Sequence, residues 1–463
     1  MISVFDIYKV GLGPSSSHTF GTMVASNMFV EYLKNNNFAE KTNEIDVHLY
    51  GSLALTGYGH GTCLSIELGL EGYTPDGITP QKVQIEKDRI YNEQTLHIPT
   101  KTGSKTISYK KDVNRFFHYD ALEYHPNGLR FVAKDNENKV LYENTYFSIG
   151  GGFVLTLDEI KSGKTSQVLQ GKYEFSTFKE LLDVCNKHNK TIYDIVLENE
   201  LCWRTQEDID KQVKIIVDVM NDTVKNGLER TGKLQGQIGL NRRAPALMQK
   251  IVEREKKNGG FSTDFISALD YVSMWGLAVA EENASFGRVI TAPTNGACGV
   301  IPPVIKFIEK FIPEKYTLEN IKKFILVSGV VGILCKKNAT ISGAEGGCQA
   351  EIGSACAMAS AGYVACLGGT DKQIENGAII GLVHNFGLTC DPVGGYVQVP
   401  CIERNPVNAW KAIQAGHIAL REQQAQCVSL DIAIKTMKQV GDDMPCKYRE
   451  TSQGGLAVNC PLS

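Results

Sequence analysis

The chain has 463 residues, of which 43% are apolar and 21% charged, and its formal net charge is −3. This length allows two or three domains, because a single hydrophobic core stops growing near about 250–300 residues. The small net charge gives no electrostatic case for binding nucleic acid or an anionic membrane. The sequence starts without the basic and apolar regions of a secretory signal, and no window approaches about 18 uninterrupted apolar residues. We therefore expect a cytoplasmic protein without a membrane span, whose 13 cysteines are thiols or ligands rather than disulfides.

The first 155 residues have the pattern of a mixed α/β domain. Apolar residues recur at helical spacing over residues 19–35, directly after several hydroxyl side chains that can cap a helix. The segment TGYGHGT is typical of a tight turn because of its glycines. Alternation of apolar and polar residues predicts short strands at 45–51, 82–87, 95–100, 105–110, 128–135 and 139–151.

A second and larger domain is predicted to follow a polar linker at 156–176. From residue 177 to about residue 439 the apolar residues recur mainly at i, i+3 and i+4, which predicts an almost all-helical domain at 177–463 with a short C-terminal tail. Residues 345–367 are rich in Gly, Ala, Ser and Cys, so helices there can approach very closely. The expected fold is α+β with two domains, the first mixed α/β and the second helical. A homodimer is compatible with such small-residue helices.

Three cysteines lie in segments that are too small, too Gly-rich or too polar for an ordinary core. Cys348 lies in ISGAEGGCQAEIGSA, Cys390 in HNFGLTCDPVGG and Cys401 in YVQVPCIERN. The sequence contains no C-x₂-C, which argues against a zinc finger, a ferredoxin-type site or a thioredoxin site. Three widely separated thiolates that leave a fourth position open suit a catalytic iron–sulfur cluster, because an iron without a cysteine ligand is a Lewis acid. Such a centre favours dehydration over electron transfer.

Packing is the alternative interpretation of these cysteines, because a Cys in a helical domain is most often a small buried apolar residue. Neighbouring Gly, Pro or Asp residues place the three sulfurs at loops or helix ends, which favours ligation. We keep the packing interpretation for five other cysteines: Cys185, Cys335, Cys356, Cys366 and Cys427.

Two short motifs near the N-terminus carry candidate functional groups. In PSSSHT, the residues Ser15, Ser16, Ser17 and His18 precede a predicted helix, whose first N–H groups and dipole favour a bound carboxylate or phosphate. Simple capping of the helix, which needs one serine, is the alternative. In TGYGHGT the glycines frame His60, which is a candidate general base. An incidental His in a structural turn is the alternative there.

Two later segments also place polar groups in loops. Thr294 and Asn295 lie in GRVITAPTNGACGVIPP, a Pro- and Gly-rich segment between two helical patterns, and are candidates for contacting a substrate. In GLVHNFGLTCDPVGG, the side chains of His384, Asn385 and Asp391 stand close in sequence to the candidate ligand Cys390 and are candidate outer partners of a metal centre.

Six motifs in this order make the chain resemble the bacterial-type iron–sulfur L-serine dehydratases: PSSSHT, TGYGHGT, SIGGGF, RVITAPTNGACGVIP, SGAEGGCQAEIGSACAMAS and LTCDPVGGYVQVPCIERN. The resemblance runs over essentially the whole chain. It implies the single-chain form, with a β-type domain at 1–155 and an α-type domain at 177–463. The activity it implies is the conversion of L-serine to pyruvate and ammonia by cluster-assisted β-elimination of water.

The resemblance also implies a 4Fe–4S cluster held by Cys348, Cys390 and Cys401, and no pyridoxal phosphate. In single-chain relatives a cysteine at the extreme C-terminus occupies the fourth iron until substrate displaces it. Cys460 matches that residue, but three further residues, 461–463, follow it in this chain. These residues must either fit in the cavity or leave it, so the place of Cys460 in the resting state stays open.

The implied mechanism assigns roles to the N-terminal motifs. His60 is the expected base for the Cα proton, and the SSSH segment with His18 is expected to hold the substrate carboxylate or ammonium. Thr294 and Asn295 are expected to help bind the substrate. Which of the two histidines is the base and which the anchor stays open at this point.

Three rival functions share some of these features. A pyridoxal-phosphate dehydratase needs a Schiff-base Lys and a phosphate loop that opens a helix, whereas SIGGGF is followed by the strand-like FVLTL. An aconitase-like hydro-lyase shares the cluster chemistry but not the motifs. A serine-binding regulatory protein has no use for the cysteine segments, and a measurement of iron content would separate it from the enzyme.

Overall fold

A computed structural model describes residues 1–163, 169–422, 424 and 426–460. Part of the predicted linker at 156–176 therefore lies outside the described residues. The N-terminal part contains β1 (Lys9–Leu12), α1 (Gly21–Asn35), β2 (Glu44–Tyr50), α2 (Ser52–Leu55), α3 (Thr62–Leu70), α4 (Pro80–Glu93), β3 (Thr95–Thr100), β4 (Gly103–Ser108), α5 (Lys111–Asn114), β5 (Arg115–His118), β6 (Gly128–Lys134), β7 (Val140–Ser148), β8 (Val154–Thr156) and α6 (Leu157–Lys161).

The C-terminal part is almost entirely helical, with one strand. Its elements are α7 (Phe178–His188), α8 (Ile192–Glu200), α9 (Gln206–Glu229), α10 (Ala244–Lys257), α11 (Phe265–Asn283), β9 (Arg288–Thr291), α12 (Ile301–Phe311), α13 (Leu318–Asn338), α14 (Gly343–Gly346), α15 (Ser354–Cys366), α16 (Asp371–Val383), α17 (Cys401–Arg421), α18 (Leu430–Asp443) and α19 (Leu456–Asn459). The predicted fold class, an α/β part followed by a larger helical part, is confirmed.

A five-stranded sheet organises the N-terminal part in the order β5-β2-β6-β7-β8. β2 pairs with β5 in parallel, and the other three pairings are antiparallel. Helix α1 packs its apolar side chains Met23, Phe29 and Leu33 into a core with Leu49 and Phe131 from the sheet. The apolar spacing that predicted this helix is the spacing of the residues it buries.

One predicted strand is wrong. Residues 82–87 lie inside helix α4, which begins after Thr79, whose side chain accepts a hydrogen bond from the Lys82 N–H, and has Pro80 at its first position. Proline is favoured there because it lacks an N–H that the first turn would leave unpaired. The buried residues of this helix, Val83, Glu86 and Ile90, recur at helical spacing. A run of six alternating residues is too short to predict a strand when residues just before it favour the start of a helix.

A two-stranded antiparallel ribbon joins the two parts of the chain. β1 pairs with β9, from Lys9 opposite Thr291 to Leu12 opposite Arg288. The sequence pattern indicated a loop where β9 forms, because the segment is flanked by Gly and Pro. The ribbon is important for the site, since it brings the segment after Leu12 next to the segment after Thr291.

The core of the helical part is built from closely packed small residues. All 13 residues of α15 are buried. A Cβ atom added to Gly381 in α16 would stand 2.9 Å from the backbone oxygen of Cys356 in α15, so only glycine allows this approach. The composition of residues 345–367 thus leads directly to close helix packing around the candidate cysteine ligands. No helix within the described residues has the length and apolar character that a membrane span would need.

Candidate active site

His18 lies in a wide helical turn, Ser16–Phe20, directly before α1. Ser15 caps this turn, because its hydroxyl accepts a hydrogen bond from the His18 N–H at 3.2 Å. The His18 side chain is fully buried, and its Nδ1 lies 2.9 Å from the hydroxyl of Ser17. The hydroxyl-rich motif therefore both starts the helix and fixes the imidazole.

The hydrogen bonds of His18 define its protonation. Its Nε2 lies 3.1 Å from the backbone oxygen of Ser52, and a carbonyl oxygen can only accept, so this nitrogen carries the proton. The other ring nitrogen is then free to accept from Ser17. Burial lowers the pKa of His18 to about 4, and the nearby Glu450 carboxylate opposes this shift only in part. His18 is therefore a neutral imidazole at neutral pH.

His60 lies next to His18, with 4.4 Å between the ring centroids. It is 2% exposed, its Nδ1 is 3.3 Å from the Thr56 backbone oxygen, and its Nε2 is 3.3 Å from Oε1 of Glu450. Gly59 lets this turn pack against the backbone, since an added Cβ would stand 2.2 Å from the oxygen of Gly395. The glycines of the motif thus allow a buried turn that holds one imidazole.

Glu450 completes this group, and sequence reasoning missed it. Its Oε1 also lies 3.9 Å from Nδ1 of His18, and its buried Oε2 has no hydrogen-bond partner among the described residues. Burial alone would raise the pKa of Glu450, but the two neighbouring imidazoles lower it below its usual range. In the sequence this residue stands in a polar segment typical of a surface loop. We call His18, His60 and Glu450 the imidazole cluster.

The three candidate cysteine ligands are all buried and come from separate elements. Cys348 precedes a helical turn, Gln349–Gly353, that leads into α15. Cys390 lies in the loop between α16 and α17, and Cys401 is the first residue of α17. Their exposed fractions are 3%, 4% and 8%. We call Cys348, Cys390 and Cys401 the cysteine cluster.

Two charged residues adjoin the cysteine cluster, and sequence reasoning missed both. Ligand atoms of Cys348, Cys390 and Glu351 lie within 4.8 Å of one another. A hydrogen bond from Cys390, together with the Arg404 guanidinium, lowers the pKa of Cys348 to about 6. The same hydrogen bond and burial raise the pKa of Cys390 well above its usual range. Burial likewise raises the pKa of Glu351.

The surroundings of the sulfurs fit an iron–sulfur cluster. A Cβ added to Gly343 would stand 3.4 Å from the Sγ of Cys390 and 2.8 Å from Oε2 of Glu351, so glycine is needed for the backbone to approach these two side chains so closely. Ser342 and Thr294 contribute buried hydroxyls that have no hydrogen-bond partner among the described residues. Soft sulfur donors with an Arg nearby are a suitable set for iron, since thiolates are the usual ligands of such clusters.

A short backbone bridge connects the two clusters. The N–H of Cys390 donates to the Tyr448 oxygen at 2.8 Å, and the N–H of Glu450 donates to the Cys390 oxygen at 2.7 Å. The Ser52 hydroxyl donates to the backbone oxygen of Glu450 at 2.7 Å. The imidazole cluster and the cysteine cluster are therefore parts of one site, made from both halves of the chain.

The predicted substrate contacts divide into two kinds. Asn295 is fully used by the protein: its amide donates to the Leu12 oxygen at 2.9 Å and to Asn283 at 3.2 Å, and accepts from the Thr291 hydroxyl at 2.6 Å. It fixes the loop after β9. Thr294, in contrast, keeps its hydroxyl unpaired among the described residues and lies beside Glu351. Ser16, like its neighbours in the motif, is buried.

The other predicted residues lie at the edge of this site. His384 is exposed and its Nδ1 is 2.8 Å from the oxygen of Ile380, in its own helix. Asn385 receives a hydrogen bond from Lys411 at 2.8 Å. Asp391 accepts from the N–H of Leu456 at 2.7 Å and so holds α19 next to Cys390.

Cys460 directly follows α19 and is exposed. Its N–H donates to the oxygen of Leu456 at 2.9 Å. The residues after it, 461–463, lie outside the described part of the chain. Its role as a resting-state ligand stays a prediction.

Comparisons with known proteins agree with this two-part organisation. A family model described as "Serine dehydratase beta chain" matches residues 3–159, and one described as "Serine dehydratase alpha chain" matches residues 187–457. The chain therefore contains sequences related to both subunit types, in the order beta then alpha.

Curated relatives match over nearly the full length. "L-serine dehydratase" of Haemophilus influenzae is 44% identical over 461 residues, which cover 99% of both chains. "L-serine dehydratase" of Streptomyces coelicolor is 43% identical over 462 residues, and "L-serine dehydratase TdcG" of Escherichia coli is 42% identical over 459 residues, again with 99% of each chain covered. On these matches and on the site described above, the chain belongs to the serine dehydratase family, in its single-chain bacterial form.

Proposed function

We propose that this protein is an L-serine ammonia-lyase that converts L-serine to pyruvate and ammonia by β-elimination of water. The observation that carries the proposal is the joining of the two clusters by the Cys390–Glu450 backbone bridge, in which the Glu450 nitrogen lies 2.7 Å from the Cys390 oxygen and the Cys390 nitrogen 2.8 Å from the Tyr448 oxygen. This bridge places proton-accepting imidazoles beside a buried set of thiols. The full-length similarity to proteins named L-serine dehydratase supports the same reaction.

The cofactor that we propose is a 4Fe–4S cluster held by Cys348, Cys390 and Cys401. When bound, it supplies a Lewis acid that makes the β-hydroxyl of serine a better leaving group. Arg404 belongs to the same environment: its Nη1 donates to the Thr389 oxygen at 2.7 Å, and its charge favours the thiolate form of Cys348. A cation fixed in this way offsets the negative charge of the sulfur ligands.

The hydrogen-bond geometry favours His60 as the base. Both ring nitrogens of His18 are engaged by the protein, Nε2 with the Ser52 oxygen and Nδ1 with the Ser17 hydroxyl. His60 has one long backbone contact, with its Nδ1 3.3 Å from the Thr56 oxygen, and its Nε2 lies 3.3 Å from Oε1 of Glu450. We therefore assign removal of the Cα proton to His60, the less firmly engaged of the two rings. His18 serves as a fixed, neutral part of the substrate-binding wall.

We assign substrate binding to the hydroxyl groups around these two imidazole rings. Ser15, Ser16 and Ser17 stand at the start of the helical turn, where N–H groups favour a carboxylate. Thr294 offers a buried hydroxyl that the described protein does not use. Asn295 acts indirectly, by fixing the loop that carries Thr294.

The bond changes follow from these positions. His60 takes the Cα proton, the electron pair forms the Cα–Cβ double bond, and the C–O bond breaks with its electron pair on oxygen, which takes up the proton held by His60 and leaves as water. The product, aminoacrylate, gains a proton at Cβ and loses one from nitrogen to give the imine, and addition of water to the imine yields pyruvate and ammonia. Since the Cα proton of serine is only weakly acidic, fixed positive charge and a closely placed base both lower the barrier.

Domain boundaries, assembly and location complete the proposal. We propose an α/β domain at 1–155 and a helical domain at 177–463, joined through 156–176, in a homodimer. We also propose a cytoplasmic location, because an oxygen-sensitive cluster with free thiols would be best maintained in a reducing compartment.

An anaerobic preparation tests the function directly. We expect a brown protein that contains about four irons per chain, with visible iron–sulfur absorbance, and that releases pyruvate from L-serine. Exposure to air should bleach the absorbance and abolish pyruvate release in parallel. Pyruvate release by a colourless, iron-free protein would overturn the cluster assignment, and a brown protein that is inactive with L-serine would overturn the substrate.

A further inference from the structure

The groups that L-serine is proposed to meet are closed off from solvent. His60 is 2% exposed, and the exposed fractions in the cysteine cluster are 3%, 4% and 8%. A small molecule therefore reaches these groups when a segment of the chain moves aside. Segments that open easily have few buried apolar contacts and many exposed residues.

The connection between α9 and α10 has these properties. Of the eleven residues at 231–241, seven are exposed and only Leu234 is buried. The backbone closes on itself, because the N–H of Leu234 donates to the oxygen of Leu240 and the N–H of Arg242 donates to the oxygen of Gly232, both at 2.8 Å. Compact surface loops whose ends lie close together are frequently functional. We call residues 231–241 the cover loop.

A single buried carboxylate holds both ends of the cover loop. Glu282, in α11, is 1% exposed, and its two oxygens lie 3.0 Å from Nη1 of Arg230 and 2.7 Å from Nη1 of Arg242. Breaking a buried ion pair is costly, so the ends stay in place. Between them, Gly232 and Gly239 have φ of +94° and +71°, and no described atom beyond their chain neighbours lies within 4 Å of a Cβ added at either position. The middle of the loop is therefore free to turn about fixed ends.

The apolar anchor of the cover loop lies beside a candidate cluster ligand. Leu234 packs in a small apolar group that is separate from the two main cores and contains Ala280, Ala284 and Ile402. Ile402 directly follows Cys401, the most exposed of the three candidate ligands. Because this group is small, few apolar contacts hold the loop in place.

Two further contacts place the cover loop on the segment that leads to Cys401. The side-chain amide of Gln398 donates to the backbone oxygen of Gln235 at 2.7 Å. A Cβ added to Gly236 would stand 2.3 Å from a ring atom of Tyr396, so the backbone of the loop lies directly on that ring. The loop thus covers residues 396–402.

We propose that the cover loop is a gate, whose middle moves off residues 396–402 and gives small molecules access to the cysteine cluster. A cavity of about 240 Å³ lies between Gln235 of the loop and the glycines of the turn that carries His60. Opening the loop widens this cavity, so the same movement leads toward the imidazole cluster. The identity of the entering molecule, L-serine, rests on the proposed function, whereas the gate itself does not.

Two substitutions loosen the cover loop at different contacts. Leu234→Ser removes the apolar anchor, and Gly236→Ala adds a methyl group where the Tyr396 ring leaves no room. In the metal-free full-length chain, we expect each to make the thiol of Cys401 react with iodoacetamide about tenfold faster than in the parent, because loss of a contact increases the open population. The thiol of Cys356, which is fully buried in the helical core, should keep its rate. Mass spectrometry of the peptides gives both rates in one sample.

The holoenzyme supplies a second readout. When anaerobic protein is exposed to air, the iron–sulfur absorbance of both variants should bleach about tenfold faster than that of the parent, since oxygen enters through the same opening. The matched control is Ile107→Ser, because Ile107 on β4 is 3% exposed, like Leu234, but lies in the core of the N-terminal part. The control should lower the free energy of unfolding and change neither rate.

Several results would overturn the gate. An unchanged Cys401 rate in both variants would mean that small molecules reach the sulfurs by another path. Equal acceleration of Cys356, or of Cys401 in Ile107→Ser, would mean general loosening of the protein. If Leu234→Ser does not fold, Gly236→Ala, at an exposed position, decides alone. If the parent releases no pyruvate from L-serine or shows no iron–sulfur absorbance, the proposed function fails, and the Cys401 rates still decide the gate.

Discussion

The imidazole cluster and the cysteine cluster adjoin each other, but they are built in opposite ways. His18 and His60 each come from a short motif that supplies one contact of the ring, from Ser17 to His18 and from Thr56 to His60. The cysteines come from three separate elements and are brought near one another only by the packing of the helical part. Local structure thus fixes part of the first cluster, which Glu450 completes by a tertiary contact, whereas the second cluster is made by tertiary structure alone.

The two clusters are alike in leaving buried polar groups unpaired. In the imidazole cluster every ring nitrogen has a polar neighbour among the described residues, but the buried Oε2 of Glu450 has no hydrogen-bond partner there. Around the cysteine cluster, the buried hydroxyls of Ser342 and Thr294 also lack hydrogen-bond partners among those residues. Unpaired buried polar groups are costly unless something else binds them. The cofactor that we propose at the cysteine cluster therefore rests on its three thiols, which the imidazole cluster lacks.

Removing one thiol is the largest change that this comparison predicts. Cys348→Ala should give a folded but colourless protein whose pyruvate release falls at least about 1000-fold, because the remaining thiols cannot hold the cluster. Iron content, visible absorbance and pyruvate assays on anaerobic protein check this.

The matched control is Cys356→Ala, eight positions further along the chain. Cys356 is fully buried, and its thiol faces the backbone oxygen of Asn408, so its loss should lower the free energy of unfolding by about 1–2 kcal/mol and leave iron and activity unchanged. A brown, active Cys348→Ala protein would show that the cysteine cluster is only core packing.

Removing one imidazole should act on the reaction and spare the cofactor. His60→Ala is expected to keep the iron–sulfur absorbance and to lower kcat by about 10²–10⁴-fold, the usual contribution of a general base. His97→Ala, on strand β3 in the same domain, serves as the control and should keep full activity. Retained turnover in His60→Ala would remove this residue as the base and direct attention to His18.

Thr294 and Asn295 were both predicted to contact the substrate, but in the structure their side chains have different hydrogen-bond partners. Asn295→Ala should lower the free energy of unfolding by about 2–3 kcal/mol, because it leaves the Leu12 oxygen and other buried groups unpaired. Thr294→Val should leave unfolding within about 0.5 kcal/mol and raise the KM for L-serine about tenfold. Chemical denaturation and steady-state kinetics separate the two. If Thr294→Val lost stability and kept its KM, its hydroxyl would be structural.

Local patterns in the sequence were sufficient for most of the fold. Helix α1 and strands β2, β6 and β7 of the sheet follow from the periodicity of their residues, whereas the short edge strand β5 was not predicted. The error at 82–87 and the missed strand β9 have related causes. At 82–87 a short alternation of apolar and polar residues outweighed the helix start signals of Thr79 and Pro80 in the prediction. Strand β9 forms by pairing with the distant strand β1, and no local pattern in the sequence indicates it.

The same limit applies to the site. His18 and His60 could be singled out because unusual residues surround them within a few positions. Glu450 could not, because the residues that it contacts, Cys390 through the backbone and the two imidazoles through its side chain, lie far away in sequence. In the sequence, the only local sign was the pair of glycines that follows shortly after it. Contacts between polar groups that are far apart in the sequence produce no periodic pattern from which they could be predicted.

The smallest predicted effect is a pH dependence of stability that arises from His18. Its folded pKa of about 4 is below the ordinary value of 6.5, because burial disfavours the charged ring. Above pH 6.5 the ring is neutral in both the folded and the unfolded protein, so burial has no effect on stability there. Below pH 6.5 the unfolded chain binds a proton at this ring and the folded protein does not. The free energy of unfolding therefore declines as the pH falls, until the pH reaches about 4. Between pH 7 and pH 5.5 the free energy of unfolding falls by about 1 kcal/mol from this cause. Comparison with His18→Gln, by chemical denaturation at both pH values, isolates this contribution, since the glutamine protein should lose about 1 kcal/mol less over the same interval. If the free energy of unfolding fell equally in the two proteins, burial would not be what keeps His18 neutral. The His18 ring would then not be an electrically neutral counterpart of the cysteine cluster.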